Sequence, residues 1–288
     1  LPTPIIWSAD PVLFSFGPLS IRWYGLFFAS AFICGMTWMQ YVFTQEGKDA
    51  EALEPLLYRI MAGVIIGARL GHCLFYDPVF YLSNPLEFLK IWEGGLGSHG
   101  GILGLFLALY LHSRKNRETP FSWLSDHLMV AGCMGAACIR LGNFFNSELV
   151  GIPIASGWGV VFTRVDLLPR HPVQLYESLA YAGCSLLLFV AWKKGAGKIP
   201  WRLTSFALMA AAIARIFLEI FKTRQTAFDL PVHMGQLLSL PFLVSGILLF
   251  LYSRNQAFSA PTVPETSPRP EATAKQKAPK KLKGQAPR

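Results

Sequence analysis

Seven apolar runs of about 17 to 23 residues divide the first 252 residues of this 288-residue chain, and such runs suit α-helices crossing a hydrocarbon core roughly 30 Å thick. Backbone polar groups have no water partner at that depth, so a spanning segment must satisfy them within a helix or a closed barrel. The runs cover residues 22–43, 57–76, 96–112, 126–145, 173–192, 203–221 and 235–252. They predict an all-α integral membrane protein with about seven transmembrane helices. Only 15% of the residues are charged, against roughly 25% in a soluble domain. Cys34, Cys73, Cys133, Cys138 and Cys184 all fall inside the runs and read as reduced, buried small hydrophobes.

Loop charge sets the expected orientation. With the N-terminus outside, the inner loops and C-terminal tail carry sixteen Lys and Arg and the outer loops five, the asymmetry of a cytoplasmic C-terminus. No basic segment precedes the first run, which begins after Ser20, so no cleavable signal peptide is expected. Residues 1–254 form the expected membrane domain and residues 255–288 a basic Pro/Ala/Lys-rich disordered tail. The tail supplies most of the formal +9 charge, which fits an anionic membrane surface better than nucleic acid.

Ionisable side chains inside spans are expensive, at about 2.5–3.5 kcal/mol or more each at a helix centre. Arg69, Arg140, Glu177, Arg215 and Glu219 nevertheless occupy four of the runs. At a rise of 1.5 Å per residue, Arg140, Glu177, Arg215 and Arg69 lie roughly 6 to 10 Å below the outer ends. Tyr24, Tyr76 and His99 sit at or near those ends. A common level predicts one polar cavity open to the outer leaflet. Each residue also has a plainer reading. Arg215 and Glu219, one turn apart, neutralise each other, and Arg69 bonds backbone carbonyls.

Two segments carry more information. Glu93-Gly94-Gly95-Leu96-Gly97-Ser98-His99-Gly100-Gly101 holds five glycines in nine positions. Each costs about 1 kcal/mol in a helix, acceptable where backbone must bend or approach closely. His99 there is a candidate base, proton shuttle or anion donor. The other segment is Arg140-Leu141-Gly142-Asn143-Phe144-Phe145-Asn146-Ser147-Glu148-Leu149-Val150-Gly151. As a helix it puts Arg140, Asn143 and either Asn146 or Ser147 on one face, a guanidinium fork with amides suited to a phosphate-bearing head group.

These residues resemble the bacterial prolipoprotein diacylglyceryl transferases. The resemblance rests on Arg22-Trp23-Tyr24-Gly25, His99-Gly100-Gly101, the Arg140-to-Gly151 segment, Arg170-His171-Pro172 with Gln174-Leu175-Tyr176-Glu177, and the pair Arg215 and Glu219. It covers roughly residues 10–252. It implies an inner-membrane enzyme, working at the periplasmic side without cofactor or metal, that moves the diacylglyceryl group of phosphatidylglycerol onto the lipobox cysteine of a prolipoprotein. A thioether forms and glycerol phosphate leaves. His99, Arg140 and Arg215 are then the expected catalytic residues. Tyr24, Arg69, Tyr76, Gly100, Gly101, Asn143, Asn146, Glu148, Gly151, Glu177 and Glu219 are expected to bind or orient substrate, with Glu219 holding Arg215 in place. His99 acts as base, or else positions lipid while Glu219 or Glu148 takes the proton. A transporter for an anionic substrate is the rival from another class, beside a non-catalytic phosphatidylglycerol-binding membrane protein that would survive loss of His99. The transporter predicts polar residues through the inner half and an internal repeat, and the sequence has neither.

Overall fold

The computed structural model describes residues 3–17, 19–75, 78–90, 95, 97–155, 158–223 and 233–259. Its long helices are α1 (Trp23–Gln45), α2 (Leu53–Phe75), α4 (Ser98–Lys115), α5 (Phe121–Phe145), α6 (Val173–Lys193), α7 (Arg202–Leu218) and α8 (Met234–Ser259), with a short α3 (Pro78–Ser83) after α2. Among the described residues, six helical stretches are long and apolar enough to cross a membrane, and the chain is a multi-pass membrane protein. The expected third span is the exception: α4 opens on Ser98-His99-Gly100-Gly101 and closes on His112, Arg114 and Lys115, which dilute its 18 residues. Helix α8 continues through Ser259, so residues 255–259, expected to begin the tail, are helical. The rest of the expected tail and Tyr76 lie outside the described residues.

The fold is not purely helical. Strand β1 (Ile5–Trp7) pairs in parallel with β4 (Val160–Phe162), which pairs antiparallel with β5 (Pro169–Arg170). A hairpin of β2 (Val12–Phe16) and β3 (Leu19–Arg22) leads directly into α1. The alternating stretches are too short to show beside the long apolar runs, and β1 finds its partner more than 150 residues away. Phe144, Val160 and Phe162, with Trp7 against them, seal this sheet onto the end of α5.

Helix α1 packs chiefly on α5, which also contacts α6 and α7, while α7 holds α8. The core shared by α5, α6 and α7 is Val130, Cys133, Cys184, Leu188, Leu203 and Ala207. At the end remote from the strands, the buried Asp126 carboxylate accepts from both the Thr204 amide and hydroxyl, at 2.7 Å each. It therefore caps the start of α7 instead of its own helix, meeting donors that the helix leaves open.

Helices α2 and α4 form a second tightly packed pair. A side chain at Gly63 would meet the Gly104 carbonyl at 2.6 Å, and one at Gly71 would meet Gly100 Cα at 2.7 Å. With no Cβ in the way, the two backbones touch along three turns, the close approach favoured between membrane helices. Gly104→Ala is expected to destabilise the protein by about 1–3 kcal/mol. Gly132→Ala, where nothing lies within 4 Å, should be neutral or stabilising by up to about 1 kcal/mol. Thermal unfolding in detergent checks both, and equal midpoints would remove the packing argument.

Candidate active site

Helix α5 ends in the segment that the sequence singles out. Asn146 closes the helix, and the next turn contains two non-glycine residues with left-handed backbone, Ser147 (φ 56°) and Leu149 (φ 53°). Such conformations cost on the order of 1–2 kcal/mol each and persist where surrounding contacts hold them. Here the Glu148 amide donates to the Asn143 carbonyl at 2.9 Å, and Gln174 Nε2 donates to the Glu148 carbonyl at 2.6 Å. The turn swings the Glu148 side chain back over α5. Its carboxylate accepts from Asn143 Nδ2 at 3.0 Å and Asn146 Nδ2 at 3.1 Å.

Arg140 lies one turn deeper. Its Nη1 donates to Asn143 Oδ1 at 3.3 Å, and its Nε stands 3.1 Å from Glu177 Oε2 on α6. The Glu177 side chain is only 1% exposed, and its other oxygen lies 2.7 Å from Lys222 Nζ. Lys222 also reaches Glu219 at 3.4 Å. Helix α7 stops at Leu218 and a 3₁₀ turn spans Glu219–Phe221. That break aims Glu219 at Lys222, which corrects the expectation that it holds Arg215. Arg215 instead stands close to the Tyr181 hydroxyl, which feels Arg140 as well. The two arginines thus belong to one electrostatic cluster on α5, α6 and α7.

Beside the cluster is an open cavity of about 560 Å³, lined by Ser20, Ile21, Arg22, Tyr24, Asn146 and Glu148 among others. Tyr24 faces α5 at Gly142, where a Cβ would come within 2.9 Å of the tyrosine ring. Gly151 is a crossing point of three segments. Its amide donates to the His171 carbonyl at 3.1 Å, its carbonyl accepts from Arg170 Nη1 at 2.9 Å, and it bridges to Lys222. A Cβ there would stand 2.5 Å from the His171 carbonyl. Arg170 is held in turn by Asp166, with contacts of 2.5 to 3.1 Å.

The structure does not bring every expected residue to this cluster. Arg69 is 3% exposed, and its guanidinium donates to the carbonyls of Phe88, Gly95 and Glu87 at 2.9, 3.2 and 2.6 Å. It pins the segment leading to α4, the plainer of its two readings. Gly100 lies against Gly67 and Gly71 of α2, and Gly101 faces Ala68 and Val64; both serve helix packing here. His99 is exposed in the first turn of α4, and among the described residues no hydrogen bond or ion pair joins it to the Arg140 network.

Residues 11–252 match the family model described as prolipoprotein diacylglyceryl transferase. The chain belongs to that family. A relative from Chloroherpeton thalassium, named phosphatidylglycerol–prolipoprotein diacylglyceryl transferase, is 48% identical over 88% of this chain and 96% of its own length. Proteins with the same name from Tolumonas auensis and Porphyromonas gingivalis are 44% and 39% identical. They cover 88% and 87% of this chain and 98% and 95% of their own lengths. The prolipoprotein diacylglyceryl transferase match spans every member of the Arg140 cluster. Sequence reasoning passed over Tyr181, Lys222, Gln174 and Arg22. Lys222 entered only as a loop charge, although its spacing of three from Glu219 signals a possible pair. Gln174 and Arg22 sat inside quoted motifs without a role.

Glu177→Leu is expected to strand Arg140 and Lys222 without their shared counter-charge. Breaking a buried pair costs about 3–5 kcal/mol, whereas exposed Glu148→Gln should cost under about 1 kcal/mol. Thermal midpoints in detergent compare the two. The hydrogen bond from Arg170 holds the Asp166 carboxyl below its usual range. Its stabilisation is therefore complete above the ordinary carboxylate pKa and is lost as pH falls through the lowered value. Limited proteolysis of the 158–170 segment should rise with acid in the native chain and depend less on pH in Asp166→Asn.

Proposed function

We propose that the Arg140–Asn143–Glu148 face and the cavity beside it hold the head group of phosphatidylglycerol while its diacylglyceryl group passes to a prolipoprotein cysteine. The observation carrying this reading is the Arg140 guanidinium, held 3.1 Å from buried Glu177 and 3.3 Å from Asn143, whose amide bonds Glu148 on the wall of a cavity edged by amide, phenol and guanidinium groups. Family membership supplies the reaction class. In the proposed step the cysteine sulfur attacks the glyceryl carbon that carries the phosphate ester. A C–S bond forms, the C–O bond to phosphate breaks, and glycerol phosphate departs with the electron pair. Negative charge grows on the departing phosphate, where fixed cations stabilise it.

Glu177 is shared between Arg140 and Lys222, so its carboxylate does not draw its whole counter-charge from Arg140. Among the described residues Arg140 Nη2 has no hydrogen-bond partner, and that edge is the proposed phosphate donor. Asn143 and Asn146 orient the head group with Tyr24, and Gly151 keeps the crossing segments close.

The thiol has an ordinary pKa near 8.5 and attacks as thiolate. His99 is the proposed proton acceptor, by the match of an imidazole to that task. One observation favours a second reading: Glu148 lines the cavity and His99 does not touch its described walls. In that alternative Glu148 takes the proton and His99 positions lipid.

For the membrane frame, α4 at about 27 Å is the proposed seventh span, with the N-terminus outside and the site at the periplasmic leaflet of a bacterial inner membrane. Residues 1–254 then make the catalytic domain and the remainder a cytoplasmic tail.

The test incubates purified protein with phosphatidylglycerol and a lipobox peptide bearing one cysteine, and reads the peptide mass. The adduct is expected with the cysteine peptide and not with its Cys→Ser control. Arg140→Ala should lower the rate by at least about 100-fold, the scale of removing an oxyanion-stabilising donor. Loss in His99→Ala with activity kept in Glu148→Gln selects His99 as the base. The opposite pattern selects Glu148, and no adduct with the native chain overturns the proposal.

A further inference from the structure

The polar cavity has an apolar counterpart on the same helices. A groove of about 390 Å³ runs between α1, α5 and α6, walled by Cys34, Thr37, Val130, Met134, Ser185 and Phe189 among others. Its few polar atoms are turned inward to backbone. The Thr37 hydroxyl donates to the Ile33 carbonyl at 2.8 Å, the Ser185 hydroxyl to Val130 at 2.9 Å, and the Trp38 indole to His127 at 2.8 Å. The wall is therefore overwhelmingly apolar. Helices α1 and α5 run side by side here, with Gly35 facing Ala131 and Gly135 facing Ala31.

Depth relates the groove to the site. Along α1 its residues begin about 14 Å and end about 21 Å below Tyr24, and along α5 they lie about 14 to 20 Å below Asn143. Along α6 they lie about 12 to 18 Å below Glu177. Three helices agree on one level. One leaflet of a bilayer is about 15 Å of hydrocarbon, so a lipid whose head group sits in the polar cavity brings the ends of its acyl chains to this groove.

Building on the head-group reading above, we propose that the groove is the acyl-chain subsite for the diacyl phospholipid held by the Arg140 cluster, and that it sets chain-length preference. The occupant is one chain of that anionic lipid, because the groove continues the α1–α5 seam that also forms the head-group cavity.

The test has two arms, both on the full chain. In the first, phosphatidylglycerol with a photoreactive diazirine at one acyl terminus is irradiated in nanodiscs of phosphatidylcholine, and crosslinked peptides are mapped. Label is expected in residues 33–38 and 185–189, several-fold above that from a phosphatidylcholine probe of the same chain. Equal labelling by both head groups would overturn the proposal, because the groove would then be ordinary lipid-facing surface. In the second, Cys34→Trp and Met134→Trp fill the groove. Each should raise the ratio of dioctanoyl to dipalmitoyl phosphatidylglycerol turnover by about tenfold. Leu187→Trp, at a 67% exposed position on α6 outside the groove, should leave the ratio unchanged. An unchanged ratio in both groove variants, with thermal midpoints near native, sinks the subsite. Selective labelling by a chain that transfers nothing would keep the subsite and remove the transferase reading.

Discussion

A carboxylate at 1% exposure inside a membrane protein is tolerable only with cations in direct contact, and Glu177 has two, Arg140 at 3.1 Å and Lys222 at 2.7 Å. Desolvating one ion costs several kcal/mol even after relaxation, so this contact orders much around it. It ties α5 to α6 and both to the turn after α7. It also holds the Arg140 guanidinium so that one edge meets Asn143. The break of α7 at Leu218 belongs to the same arrangement, since it lets Glu219 and Lys222 face each other.

Around that contact the polypeptide is held by backbone more than by side chains. Gly151 donates its amide to the His171 carbonyl and accepts from the Arg170 guanidinium, and the strained Ser147–Leu149 turn is braced by Asn143 and Gln174. The result is a rigid mount for Glu148 and the two asparagines. Rigid donors need no reorganisation when charge develops. The small sheet is part of the mount, because β1 and β4 pack on Phe144 at the end of α5.

The helices beyond this region do different work. The α2–α4 pair is closed by glycine contact and by Arg69, whose three carbonyl bonds fasten the segment before α4. The residues that look alike in sequence, arginines at one depth, thus divide into two kinds. Arg69 finds backbone acceptors in the connection between α2 and α4, whereas Arg140 meets a carboxylate and an amide on the face that borders the cavity.

Periodicity, apolar run length and loop charge were sufficient for the multi-pass helical class, because hydrocarbon admits so few backbone solutions. The Arg140–Gly151 segment was legible for the same reason: a guanidinium and amides repeated at helical spacing inside an apolar run have no cheap explanation. Pairing was not legible. Sequence spacing put Glu219 with Arg215, but a helix end four residues before Lys222 redirected it, and helix ends depend on contacts distant in sequence. The glycines after His99 were open to site or packing, and only the tertiary structure brings α2 against them. The strands escaped notice because β1 acquires its partner through tertiary folding. What the sequence determined by itself was which charged groups the apolar helices must accommodate. Which of them meet was decided by the tertiary structure, since an ion in a membrane takes the partner that the helix packing brings within reach.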